Sequence, residues 1–113
     1  MFILEIVNLT PHAITIIGEN KNLVIEPSGI VTRIGYYTKT VGLLIAENQG
    51  PFEIPVTVTK YDEVENLPEP VNDTIYIVSA MVANAIKRHD LYIPNETVRD
   101  DKGRIIGCKS LGR

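Results

Sequence analysis

Short runs of apolar and β-branched residues, broken by turn residues at roughly 8–12-residue intervals, dominate the chain and predict strands. Residues 2–7 read as a first strand buried on both faces, and 13–17 as a second. The polar stretch 18–22 predicts a hairpin loop into a strand at 23–26. Glu26-Pro27-Ser28-Gly29 carries proline and glycine at favoured turn positions, and a strand resumes over 30–34. Residues 35–40, with adjacent Tyr36 and Tyr37, read as a loop, and 42–47 as a strand. The clearest period of two lies in 52–60, where Phe52, Ile54, Val56 and Val58 alternate with Glu53, Pro55, Thr57 and Thr59. That pattern predicts a half-buried antiparallel strand, at an edge or bulged at Pro55, because proline offers no N–H to a ladder.

Residues 61–73 are acidic and punctuated by Pro68 and Pro70, which predicts a long connection. A short buried strand at 74–78 then leads into the one predicted helix, 79–89. Met81, Val82, Ala85 and Ile86 form a stripe on a 3.6-residue period, Ser79 is placed to cap the helix, and Lys87, Arg88 and His89 fall in its last turn. Residues 91–93 and 98–99 are expected to pair with 104–109 across Asp100-Asp101-Lys102-Gly103, a sequence suited to a type I turn with a bulge. The expected architecture is a single α+β domain over residues 1–113. It is mainly antiparallel, with seven to nine short strands and one late helix.

Composition agrees with a soluble globular chain: 113 residues, 44% hydrophobic and 22% charged. No apolar run approaches the ~20 residues of a membrane-spanning helix. Residues 1–9 contain Glu5 and Asn8 and lack the basic-then-apolar pattern of a secretory leader. A single cysteine, Cys108, excludes an internal disulfide and fits a reducing compartment. Charge is unevenly spread. Residues 1–86 hold four basic side chains against ten acids, and residues 87–113 hold seven against four, so the last quarter is basic on an acidic body. With a pI of 5.3 the chain does not suit duplex nucleic acid, whereas a small anion fits the basic quarter.

Three sets of residues are candidates for chemistry. His12 follows the Asn8-Leu9-Thr10-Pro11 turn at a strand end, where Asn8 and Thr10 either orient its imidazole or simply brace the turn. Ser79 opens the helix with no glycine-rich phosphate loop around it, so capping is its expected role. The third set is cationic. Asn84, Lys87 and Arg88 share a helix face, while Arg99 and Arg104 flank the predicted turn and either offer forked donors to a phosphate or pair with Asp100 and Asp101. His12, His89 and Cys108 show no metal-ligand spacing, so neither a metal nor a cofactor is expected, and no catalytic residue is assigned.

The segments Asn8-Leu9-Thr10-Pro11-His12, Tyr76-Ile77-Val78-Ser79, Arg99-Asp100-Asp101-Lys102-Gly103-Arg104 and Gly107-Cys108-Lys109-Ser110-Leu111 resemble a small protein type of tailed bacteriophages and prophages. Leu67-Pro68-Glu69-Pro70 belongs to the same pattern, and the likeness covers about half the chain, at its two ends. The type has no settled activity. The resemblance implies a viral or prophage gene expressed in the bacterial host cytoplasm, and an accessory role there. Small phage proteins of this kind include sponges, compact oligomers that sequester a nucleotide-derived immune signal without cleaving it. The leading expectation is therefore a non-enzymatic homo-oligomer that binds a small phosphate-containing ligand through His12, Asn84, Arg88, Arg99 and Arg104, with neither duplex nucleic acid nor membrane as partner. The alternatives are a protein–protein module, such as a host-enzyme inhibitor or minor virion component, and an enzyme acting on a nucleotide with His12 as acid or base.

Overall fold

The computed structural model describes residues 4–113. Among these, in chain order, lie β1 (Glu5–Asn8), β2 (Ile14–Ile17), β3 (Asn22–Ile25), β4 (Arg33–Ala46), β5 (Phe52–Glu65), β6 (Thr74–Ile77), α1 (Ala80–Ala85), β7 (Leu91–Arg99) and β8 (Ile105–Gly112). Eight strands and one helix match the predicted α+β class; residues 2 and 3 of the expected first strand fall outside the described residues. The chain forms two compact units. One runs up to Arg33 and resumes at Val64, and the other is Ile34–Glu63.

The first unit is built on a six-stranded sheet in the order β1-β6-β7-β8-β2-β3. The sheet is mixed: β6 lies parallel to both β1 and β7, and β2 parallel to β8, while β2/β3 and β7/β8 are antiparallel. A parallel pair needs a crossover of a dozen or so residues, and the segment containing α1 supplies it between β6 and β7. Strands covered on both faces read as continuous apolar runs, which is why Ile75-Tyr76-Ile77-Val78 shows no alternation. Tyr76, Ile77 and Val78 are buried, with Leu9, Val82, Leu91 and Cys108, and together they form the core.

Ser79 caps α1 as expected, its hydroxyl accepting from the Val82 N–H at 3.3 Å. The helix is shorter than its apolar stripe predicts: Ile86 is already extended, with φ −110° and ψ 112°. Tertiary pairing explains the early stop. Tyr76 pairs with Leu91, and its N–H donates to the Asp90 carbonyl at 2.9 Å, so the chain must leave helical geometry in time to enter β7 there.

The predicted β7–β8 hairpin is present as one continuous pairing from Ile93–Gly112 to Arg99–Ile105, bulged between Val98 and Arg99. At its turn Gly103 has φ +80°, a left-handed conformation that favours glycine, and its N–H donates to the Asp100 carbonyl at 3.0 Å. Further along β8, a Cβ on Gly107 would lie 2.8 Å from the Thr15 carbonyl oxygen, so only glycine lets β2 and β8 approach this closely.

Asn8 binds these pieces together from a buried position, 1% exposed. Its Nδ2 donates to the carbonyls of His12 at 2.8 Å and Ile25 at 3.1 Å, and its Oδ1 accepts from the Thr10 N–H at 2.9 Å. The Thr10 hydroxyl lies 2.7 Å from that oxygen and 3.0 Å from the His12 carbonyl, with one proton to share. The Asn8 carbonyl accepts from the Ser28 N–H at 3.0 Å.

The second unit is a two-stranded ribbon of β4 and β5, each 14 residues long rather than the short strands expected. Residues 35–40, expected as a loop, are strand, and so is 61–65, the start of the expected connection. Phe52, Ile54 and Val58 are exposed, and only Val56 on the predicted apolar face is half-buried. Within the first unit a neck clasps the chain where it leaves and returns: the Thr32 hydroxyl donates to the Asn66 carbonyl at 2.8 Å and Asn66 Nδ2 donates to the Val31 carbonyl at 3.3 Å. No helix among the described residues is long and apolar enough to cross a membrane.

Replacing Asn8 by alanine strands several part-buried backbone groups at once. Asn8→Ala is expected to lower unfolding free energy by about 2–4 kcal/mol, read as a lower urea midpoint at unchanged slope. A shift below about 0.5 kcal/mol, the range of ordinary surface substitutions, would show that this network is not structural.

Candidate anion-binding cleft

Two of the five predicted ligand residues come together. Asn84, exposed on α1, and Arg88, in the connection after it, line a cleft of about 450 Å³. Lys87, His89 and Arg113 share its rim, and Ala83, Ile86, Leu91 and Ile93 give it apolar walls. Among the described residues, no aspartate or glutamate lines it. The volume lies within the ~300–1,000 Å³ of small-molecule pockets. A cleft of about 490 Å³ adjoins it through Arg88, His89 and Arg113 and adds Asp73, Asp90 and Tyr92.

Arg88 is committed to the fold. Its Nε and Nη2 grip the Asp90 carboxylate at 2.9 and 2.6 Å, and Nη1 donates to the Pro68 carbonyl at 2.9 Å. This fork ties the proline segment to the start of β7 and leaves two of the five guanidinium N–H groups for a ligand. The hydrogen bond from Arg88 holds the Asp90 carboxylate below the usual range, and the same bond raises the Arg88 pKa. Lys87, His89 and Arg113 form no ion pair among the described residues. Arg113 lies 5.7 Å from the Tyr92 ring centroid, a cation–π distance, and reaches the His89 carbonyl at 3.5 Å.

Arg99 and Arg104 sit at the other end of β7. The strand runs from Leu91 to Arg99, about 26 Å at ~3.3 Å per residue, so these arginines do not join Asn84 and Arg88. Each is engaged by its own turn: Arg99 Nη1 donates to the Gly103 carbonyl at 2.7 Å, and Arg104 Nε to Asp100 Oδ2 at 2.9 Å. Asp100 also accepts from the backbone N–H groups of Arg104 and Lys102, and the Arg104 N–H is the chief cause of its lowered pKa. His12 is exposed in the turn between β1 and β2 and lines none of these clefts. Asn8 and Thr10 address its backbone carbonyl, the turn-bracing role rather than the imidazole-orienting one. Cys108 is buried, its thiol 3.7 Å from the Thr15 carbonyl. No cluster of metal-ligating side chains occurs among the described residues.

Arg113 was not among the predicted site residues, yet a signal for its place exists. Counting outward from the Asp100–Gly103 turn sets Gly112 opposite Ile93, and that register delivers Arg113 beside Tyr92. No family model, curated protein or solved structure matches the chain.

The Arg88–Asp90 pair gives stability a definite acid dependence. Because the folded carboxylate titrates below its unfolded value near 4, its stabilisation is present above about pH 4 and is lost as pH falls through the lower folded pKa. Asp90→Asn is expected to flatten that acid limb in melts from pH 7 to pH 2. At neutral pH it is expected to cost about 1–2 kcal/mol, a modest figure because solvent reaches both side chains. An unchanged acid limb in Asp90→Asn would assign it to other carboxylates.

Proposed function

We propose that the protein binds a small phosphate-bearing ligand of nucleotide type in the cleft between α1 and β7, and holds it without turnover. The observation that carries this reading is the pairing of apolar walls with a rim of Asn84, Lys87, Arg88, His89 and Arg113 that no aspartate or glutamate among the described residues interrupts. Lys87 and Arg113 supply charge to the phosphate, Asn84 offers an amide to a polar edge, and the apolar walls accept a base or ribose face. Arg88, fixed by Asp90, sets the wall in place and contributes its two remaining N–H groups. In this reading the protein is a phage or prophage accessory product in the bacterial host cytoplasm, and sequestration of a nucleotide-derived immune signal is its task. The resemblance of both chain ends to a phage protein type supports that origin.

Calorimetric titration of the full chain with ADP-ribose and with a cyclic dinucleotide tests the reading. At least one is expected to bind, with affinity falling as salt rises. Lys87→Ala and Arg113→Ala are each expected to weaken binding about tenfold, the loss of one charge-assisted contact, and Arg99→Ala to leave it unchanged. The ligand should be recovered intact after incubation with catalytic amounts of protein. Absence of binding by both ligands, or binding insensitive to Lys87 and Arg113, would overturn the assignment.

A further inference from the structure

The ribbon of β4 and β5 raises a separate question from the cleft. A two-stranded ribbon is at best marginally stable in water, and three or more strands with a covered apolar face are needed for independent stability. Here the apolar residues lack cover. Leu43 is 60% exposed, Leu44 59%, Ile45 59% and Phe52 62%. Because strand side chains alternate, Leu43 and Ile45 share one face of β4 and Leu44 takes the other, so both faces present apolar surface.

The two ribbon edges differ. β5 carries Pro55, Glu53, Lys60, Asp62, Glu63 and Glu65, the kinds of residue that blunt an edge against further pairing. β4 has no proline, and from Thr40 to Ala46 it has no charge at all. We infer that β4 is the docking strand for a second copy of this chain, pairing antiparallel with its counterpart about a two-fold axis. Such an isologous contact consumes the open edge in both copies and closes, so it gives a four-stranded sheet rather than a fibre. The uncharged 40–46 stretch faces itself without repulsion, and Leu43, Leu44 and Ile45 gain apolar cross-strand neighbours on both faces of the enlarged sheet.

Light scattering on the eluting full chain tests this together with hydrogen exchange. Wild type is expected at about 25 kDa, twice the 12.6 kDa chain. The double variant Leu43→Lys, Ile45→Lys is expected to elute as a folded monomer with an unchanged far-ultraviolet spectrum from the body. Leu23→Lys, on the open edge of β3, should remain a dimer. In wild type, the β4 amides between Thr40 and Ala46 that do not bond β5 should be protected from exchange, and in the double variant they should exchange at once. A wild-type monomer, a dimer that survives the double lysine variant, dissociation by Leu23→Lys, or rapid exchange of those outward amides in the dimer would each overturn the inference. None of these outcomes bears on ligand binding at the cleft.

Discussion

A buried amide at Asn8 is the interaction on which the body of this protein depends. Burying a polar side chain costs free energy unless its hydrogen bonds are made, and Asn8 makes them both within its own turn, to Thr10 and His12, and to Ile25 far along the chain. Backbone pairing already joins β1 to β6 through Asn8 and Ile77. The side chain then fixes the 9–12 turn and reaches the end of β3, so both outer strands of the six-stranded sheet answer to one residue. An aliphatic side chain of the same size would fill the space and leave those carbonyls without donors. Specificity here comes from a polar group in the core, satisfied on all sides.

Much of the architecture was legible because it is local. β2, β3, the Asp100–Gly103 hairpin and the Ser79 cap each follow from a turn or capping signal within a few residues. The parallel pairs β1/β6 and β2/β8 carry no such signal, since partners far apart in sequence meet only in the folded state. The end of α1 was misplaced for a related reason. The apolar stripe continues through Ile86, but the pairing of Tyr76 with Leu91 overrides it. β4 escaped recognition over 35–40 because a strand open on both faces needs no apolar alternation.

For the cleft, the helix period placed Asn84 and Arg88 together, and they do share a wall even though the helix ends between them. The same arithmetic could not weigh Arg99 and Arg104, whose distance from that wall is set by the length of an unbroken β7. The expectation of strands at 91–93 and 98–99 left a gap between them, and β7 passes through it. Nor does residue type reveal that Arg88 is held by Asp90 and Pro68. Whether a cation is a structural bracket or an available charge is decided by its neighbours in space.

The neck formed by Thr32 and Asn66 has an evolutionary consequence. Chain exit and return are clasped side by side, so an insertion or deletion matched on β4 and β5 would leave the clasp unmoved. Asn66 helps by adopting φ +61°, the sharp bend that turns the returning chain back into the body. Selection can therefore lengthen, trim or rewrite the excursion while the sheet and its cleft keep their geometry. Variation among descendants of such a gene should concentrate in that tolerant stretch, in length as much as in residue type.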